Sequence, residues 1–198
     1  MKLISQFNNP ASEEYKSALG SAISTWGIFE AKVDTYLLFL RMYPPSVALG
    51  QDMRQNFTAR AALFKLTAAM CFCSCPDLVL RLTKLMDRAM RIGLHRNRLV
   101  HGHVFDTPFD PGPHVFIYER GGRNIYLAPI DEIRKFEADA ANLYSGLVDI
   151  FAMWGHEDRG LLTSAEREAL RNFWSANIQN RPDPSAIAIP RRLLSFRK

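Results

Sequence analysis

The chain has little that would cross-link it or carry it into a membrane. It contains only three cysteines in 198 residues, and Cys71, Cys73 and Cys75 stand in a single C-x-C-x-C run. An odd, closely spaced set makes a poor disulfide framework, so we expect reduced thiols. The most apolar stretch, Tyr36 to Leu40, is far too short to span a bilayer, and residues 1–10 lack the apolar centre of a signal peptide. We therefore expect a soluble protein of the cytoplasm.

The cysteine run also raises the question of a zinc site, for which the histidines would have to supply the remaining ligands. Zinc sites usually combine four ligands with C-x2–4-C spacing. Alternate cysteines instead point to different sides of a helix or loop, and small thiols packed in a core explain the run as well. We expect neither a metal ion nor a cofactor.

The composition is that of an ordinary globular domain, but the charge is unevenly distributed. Hydrophobic residues make up 47% and charged residues 23% of the chain, and the formal net charge is +5. Between Arg81 and His103 six lysines and arginines stand against one acid, Asp87, and the last eight residues hold four basic residues and no acid. Clustered positive charge attracts polyanions, because binding releases counterions from a phosphate chain. The pattern is typical either of a nucleic-acid contact or of a solvated helix face followed by a basic tail.

Apolar residues recur at helical spacing through the first half of the chain. A long helix is expected from a cap at Ser12 toward Tyr43, where Pro44 and Pro45 must end it. A second helix is expected to reach Cys71. A third carries an apolar face from Leu78 onward; Gly93 should interrupt or end it, and residues 94–101 resume as a further helical segment.

The second half of the chain begins with a change in composition. Three prolines and a glycine between Asp106 and Pro113 indicate a loop. The segments His114–Tyr118 and Ile125–Leu127 flank Gly121-Gly122 and predict a small β-hairpin at about 114–127.

Two further helices are expected after the hairpin. Pro129 opens a long helix toward Trp154, and the capping-box pattern from Thr163 to Glu166 begins a last one. The fold class is therefore predicted to be all-α: a bundle of five or six helical segments with one inserted hairpin. It forms a single domain over residues 1–180, and residues 181–198 are an irregular basic tail.

Three residues with complementary chemistry stand close together at the end of the third helical pattern. On a helix Asn97 and His101 share a face, and Arg96 lies about 140° around the axis from His101 but has a long side chain. Arginine offers a planar fork of donors to phosphate oxygens, and histidine exchanges a proton near neutral pH. In principle this pair is sufficient to cleave RNA without a metal: the ribose 2′-hydroxyl attacks, His101 moves a proton and Arg96 stabilises the charged phosphorane. DNA lacks that hydroxyl and would not be cut.

The run Arg96-Asn97-x3-His101, followed by Gly102, resembles the R-N-x3-H form of the signature of the HEPN superfamily. The resemblance implies a helical bundle over roughly Ser12 to Trp154 and a homodimer whose two protomers form a composite site. It also implies a metal-independent endoribonuclease that leaves a 2′,3′-cyclic phosphate, with Arg96 and His101 catalytic and Asn97 positioning. Members often keep a polar residue on the inward stripe of the first helix, and Glu30 fits that place, where we expect it to hold Arg96 or Asn97.

The resemblance also implies a biological setting, since members occur among toxins, phage-defence systems and RNA-processing enzymes. A neutralising antitoxin is therefore a possible partner. Members that pair with a nucleotidyltransferase antitoxin carry a tyrosine two residues after the motif histidine, but here that position is His103. Control by modification of a tyrosine at that position is not expected.

Four residues around the motif are candidates for contact with RNA: Arg91, His95, Arg98 and His103. They would otherwise be ordinary surface residues. Two alternatives to the nuclease stay open, which are a non-catalytic RNA- or nucleotide-binding module of the same fold and a dimeric adaptor protein. Salt-sensitive RNA binding would exclude the adaptor.

Overall fold

The computed structural model describes residues 13–42, 56–101, 103–107, 110–118, 125–151 and 162–179. These residues are mostly helical, which agrees with the expected all-α class. The helices are α1 (Glu13–Met42), α2 (Phe57–Cys71), α3 (Pro76–His101), α4 (Ile130–Phe151) and α5 (Ser164–Gln179), and the strands are β1 (His103–Thr107), β2 (Asp110–Tyr118) and β3 (Ile125–Ala128). The cap at Ser12, the Gly121-Gly122 turn, Trp154 and the basic tail lie outside the described residues.

Helices α1 to α4 form a bundle in which α1 and α3 each pack against both α2 and α4. Helical spacing predicts that one apolar stripe of α1 holds Ile23, Trp26, Val33, Leu37 and Leu40. The structure confirms four of the five as buried, and Ile23 is half-exposed. The buried face of α1 is wider than predicted, because Phe29 and Tyr36 are buried as well. A broad apolar stripe lets α1 contact two neighbouring helices at once.

Helix α3 is continuous, so the expectation that Gly93 would interrupt or end it is wrong. Gly93 is buried, and a Cβ atom added there would lie 3.3 Å from Cζ2 of Trp26 and 3.4 Å from Cδ1 of Phe57. A glycine in a helix interior costs about 1 kcal/mol relative to alanine. Here the missing side chain lets the indole of α1 approach the backbone of α3, and close packing offsets that cost.

The capping box predicted at the start of α5 is confirmed. The backbone N–H of Thr163 donates to Glu166 Oε2 at 2.7 Å, and the N–H of Glu166 donates to Thr163 Oγ1 at 3.2 Å. The Glu166 carboxylate is buried and also pairs with Arg81 Nε at 2.9 Å, which ties α5 to the beginning of α3. A buried carboxylate is tolerated here because it is both paired and hydrogen-bonded.

The three strands form one antiparallel sheet in the order β1-β2-β3. Thr107 pairs with Asp110 and His103 with Phe116 across β1 and β2, whereas β3 pairs with β2 only from Val115 to Tyr118. We expected a loop between Asp106 and Pro113, but most of this segment is extended. Pro111 and Pro113 lie in the part of β2 that has a neighbour on one side only, where a missing N–H donor is tolerated.

The sheet is joined to the bundle at the end of β3. The hydroxyl of Tyr15, which is fully buried near the start of α1, donates to the carbonyl oxygen of Ala128 at 2.8 Å. Within the described ranges no helix is both long and apolar enough to cross a membrane.

We expect the two glycines Gly93 and Gly27 to respond in opposite ways to substitution by alanine. Gly27 lies on the exposed face of α1 with nothing near its Cβ position, so Gly27→Ala should raise the free energy of unfolding by about 0.5–1 kcal/mol. Gly93→Ala should be at least about 1 kcal/mol less stable than Gly27→Ala, because the new methyl group would lie 3.3 Å from the buried ring of Trp26, which would have to shift. Urea denaturation of both variants measures the difference, and equal stabilisation would contradict the close packing of Trp26 on α3.

Candidate active site at the end of helix α3

A cavity of about 250 Å³ lies between α1, the start of α2 and the C-terminal half of α3. We call it the Arg96 cavity. It is lined by Trp26, Glu30, Asn56, Phe57, Thr58, Arg60, Gly93, Leu94, Arg96 and Asn97. Three of the four residues that the sequence assigned to the site, Glu30, Arg96 and Asn97, therefore share one cavity.

One wall of the Arg96 cavity is a network of charged and polar side chains. The indole N–H of Trp26 donates to Glu30 Oε1 at 2.8 Å, and Arg60 Nη2 lies 3.2 Å from Glu30 Oε2. Arg60 Nε lies 3.3 Å from Asp34 Oδ1, close enough for an ion pair although neither atom makes a hydrogen bond within the described part of the chain. Burial raises the pKa of Asp34; Arg60 opposes this shift and Glu30 adds to it. The two carboxylates therefore hold Arg60 in the wall of the cavity.

Arg96 is half-buried and less completely paired than Arg60. Its Nη1 donates to Oδ1 of the neighbouring Asn97 at 3.1 Å, and this contact restrains one edge of the guanidinium. Its Nε is buried and has no hydrogen-bond partner among the residues that the structure describes. An unmet buried donor costs about 1–3 kcal/mol, so the described part of the chain leaves the Arg96 guanidinium incompletely satisfied. The cavity therefore suits an anionic or strongly accepting group.

His101 does not line the Arg96 cavity. It is the last residue of α3 and is exposed. Five residues along a helix separate it from Arg96 by about 7.5 Å along the axis and about 140° around it. Within a single chain, the arginine and the histidine of the motif therefore lie on different parts of α3.

Glu30 faces the motif, but its partners differ from those expected. We expected its carboxylate to hold Arg96 or Asn97, whereas the structure pairs it with Trp26 and Arg60. Arg60 was not identified from the sequence. The signal that could have identified Arg60 is Glu30, because a partly buried carboxylate needs a cation nearby. Arg60 is suited to that role because it lies one helical turn from the start of α2, beside the apolar Phe57.

A second cavity, of about 330 Å³, lies on the other side of α3, between α3 and α4. We call it the His95 cavity. It is lined by Arg91, Ile92, His95, Glu132, Lys135, Phe136 and Asp139. The imidazole of His95 stacks against Phe136, with 5.9 Å between the ring centroids and 29° between the planes.

The environment of His95 disfavours its charged form. Burial lowers the pKa of His95 below its ordinary value; Glu132 acts in the opposite direction, and Arg98 lowers it further. The neutral ring is the form that packs against Phe136 and the floor of the cavity.

The structure separates the four residues expected to contact RNA. Arg91 and His95 line the His95 cavity, and Arg98 is exposed one turn later on α3. His103 lies in β1, and its side chain is outside the described residues.

Cys71 and Cys75 are buried and Cys73 is exposed. In the described part of the chain no group of three or more histidine, cysteine, aspartate or glutamate side chains is placed to hold a metal ion.

Comparison with known proteins assigns no relative. No model of a protein family, no curated protein and no solved structure matches the chain. The interpretation of the site therefore depends on its residues and their geometry.

The lowered pKa of His95 predicts how stability changes with pH. In the unfolded chain this histidine binds a proton below about pH 6.5, whereas the folded chain resists protonation. The free energy of unfolding should therefore fall as the pH drops through that value. His95→Phe keeps a ring against Phe136 but cannot titrate, so it should lose less stability than the wild type between about pH 7.5 and about pH 5. Urea denaturation at both pH values tests this, and an identical loss in the two proteins would show that His95 is not responsible.

Proposed function

We propose that the protein is a metal-independent endoribonuclease of HEPN type that acts as a homodimer. The observation that carries the proposal is the half-buried Arg96, which lines a cavity, is restrained by Asn97 and has a buried donor without a partner in the described part of the chain. A guanidinium in this state suits a phosphate group that gains negative charge during the reaction. The R-N-x3-H spacing and the mostly helical fold agree with this assignment.

The proposed reaction uses only groups of this chain and of the RNA. The 2′-hydroxyl oxygen attacks the adjacent phosphorus while His101 accepts its proton, and the bond from phosphorus to the 5′-oxygen breaks. Arg96 stabilises the negative charge of the phosphorane, and Asn97 holds the guanidinium in place. The departing oxygen takes up a proton, so the products carry a 2′,3′-cyclic phosphate and a 5′-hydroxyl.

The separation of Arg96 from His101 supports a composite site. In the proposed symmetric dimer, His101 at the exposed end of α3 reaches the Arg96 cavity of the second protomer. Leu94 lines that cavity and is 62% exposed, so a second protomer at this place would cover its side chain. Two equivalent sites would then form at one interface.

The setting is proposed on the resemblance alone. A ribonuclease of this type would act as a toxin or as an antiviral defence effector in the cytoplasm, and a partner protein would neutralise or trigger it. The same exposed position of His101 also favours a second candidate, an RNA- or nucleotide-binding module of the same fold that does not cleave. A cleavage assay separates the two.

We expect the purified protein to cleave RNA in the presence of EDTA. Arg96→Ala and His101→Ala should each lower the rate at least about 100-fold, because one removes the charge that stabilises the phosphorane and the other the proton acceptor. Arg134→Ala is the matched control, since it removes an exposed arginine on α4 that pairs with Glu14, and it should change the rate less than about twofold.

Labelled structured and single-stranded RNAs serve as substrates, and fragments are tested for a terminal cyclic phosphate. Intact RNA that is nevertheless bound would favour the binding module, and cleavage that survives His101→Ala would exclude the proposed mechanism.

The composite site predicts that two inactive variants rescue one another. If Arg96 and His101 come from different protomers, a dimer of Arg96→Ala with His101→Ala contains one intact site and one doubly altered site. An equal mixture, allowed to exchange subunits, should therefore recover about a quarter of the wild-type rate. A site built within one protomer would recover nothing, so an inactive mixture of demonstrably mixed dimers would rule out the composite arrangement.

A further inference from the structure

One side of α3 carries a row of basic side chains along most of its length. Residues at alternating steps of three and four share one side of a helix, and on α3 six such residues in succession are basic: Arg81, Lys84, Arg88, Arg91, His95 and Arg98. Five of them are exposed and His95 is half-buried. We call this set the basic row. Among the helices that the structure describes, no other carries a comparable row.

Acidic side chains balance part of the charge of the basic row. Three acids beside it already have cations as partners: Glu166 pairs with Arg81, Asp139 with Arg88 and Asp87 with Lys65. The environment of His95 favours its neutral form, so this histidine adds little charge near neutral pH. The surplus positive charge therefore belongs to other members of the basic row.

Two members of the basic row are exposed cations with no ion pair in the described part of the chain. They are Lys84 and Arg91, which lie about 10 Å apart along the helix axis. Lys135 of α4 lines the His95 cavity together with Arg91 and is a third cation of this kind. These three charges are available to an anionic partner without the loss of an existing ion pair.

The basic row ends next to the candidate active site. Arg98, its last member, stands three residues before His101 on the same helix, so the two side chains are neighbours on the surface. From Arg81 to Arg98 the row extends over about 25 Å, with about 5 Å between successive members. A row of this length and regular spacing suits a polymer that carries one negative charge per unit.

We infer that the basic row binds the phosphate backbone of an RNA strand, without regard to base sequence, and leads that strand to His101. Lys84 and Arg91 make the phosphate contacts, and Lys135 supports them from α4. The inference rests on the proposed function, because it assigns how the substrate of that site is held. Phosphate contacts fix the position of a strand and release counterions, but they do not read its bases.

Binding is tested by fluorescence anisotropy with a labelled single-stranded RNA of about 20 nucleotides, in full-length Arg96→Ala protein so that the RNA is not cut. Added to this protein, Lys84→Gln, Arg91→Gln and Lys135→Gln should each weaken binding about threefold at about 0.1 M salt. Each should also make the slope of log K against log salt shallower by about 0.7, because one phosphate contact is lost. Lys84→Gln and Arg91→Gln together should weaken binding about tenfold.

Arg171→Gln is the matched control, since Arg171 is an exposed arginine of α5 that has no ion pair among the described residues and lies outside the basic row. It should bind RNA within about 1.5-fold of the parent protein and keep the salt slope. Equal weakening in this control and in the row variants would overturn the inference, because it would indicate general attraction of a polyanion to a basic protein. Unchanged binding in the row variants would overturn it as well. Far-ultraviolet circular dichroism of each variant excludes loss of folding as the cause.

Kinetics with active protein separate this inference from the proposed function. Lys84→Gln with Arg91→Gln should raise KM for the same RNA about tenfold and change kcat less than about twofold, because the lost contacts are equal in the ground state and the transition state. Cleavage with an unchanged KM would refute the role of the basic row and leave the nuclease in place. RNA binding that weakens in the row variants, from a wild type that cuts no RNA, would refute the nuclease alone.

Single-stranded DNA of the same length tests whether the contacts are to phosphate. It should bind the basic row and inhibit cleavage of RNA without being cut, since phosphate contacts do not require the 2′-hydroxyl that the reaction needs. Its inhibition constant should rise about tenfold in Lys84→Gln with Arg91→Gln, in parallel with KM for RNA. DNA that neither binds nor inhibits would overturn the inference.

Discussion

The packing of Trp26 is the contact on which the rest of the structure depends. Its indole lies in the core with 5.0 Å between ring centroids to Phe57 on α2 and 5.9 Å to Phe136 on α4, and it packs against the backbone of α3 at Gly93. One side chain of α1 therefore contacts all three of the other bundle helices. Aromatic side chains bury a large area each, so a tryptophan stabilises the fold most where it contacts several helices at once.

The polar atom of the same indole explains why charged residues enter the bundle. A buried Trp N–H needs an acceptor, and Glu30, one turn later on α1, provides it. A carboxylate so placed needs a cation in turn, which Arg60 supplies from the first turn of α2. Each polar group thus requires the next, and the series ends at the wall of the Arg96 cavity. The packing of Trp26 in the core therefore also places the charged side chains of Glu30 and Arg60 in the cavity that Arg96 and Asn97 of α3 line.

The sequence was informative where structure is decided locally and silent where it is decided by packing. The bounds of the helices and the Thr163–Glu166 capping box follow from apolar spacing and from a hydrogen bond between residues three apart. Gly93 was misinterpreted because a glycine that admits an indole from another helix has the same local pattern as one that ends a helix. Arg60 was missed for a similar reason, since its role depends on a carboxylate thirty residues earlier in the chain. At the site, the proximity of Glu30 to Arg96 and Asn97 could be predicted from the helical pattern, but the exclusion of His101 from their cavity depends on where α3 ends.

Helical geometry also explains how seven residues of α3 line two cavities. Successive residues turn by about 100°, so His95 and Arg96 necessarily face different neighbours, α4 for one and α1 with α2 for the other. The two cavities are nevertheless not independent, because Trp26 lines the first and its ring packs on Phe136, which floors the second. A shift of the indole would move a wall of both. Contact with a ligand in one cavity can therefore alter the shape of the other through this pair of rings or through α3, against whose backbone the same indole packs at Gly93.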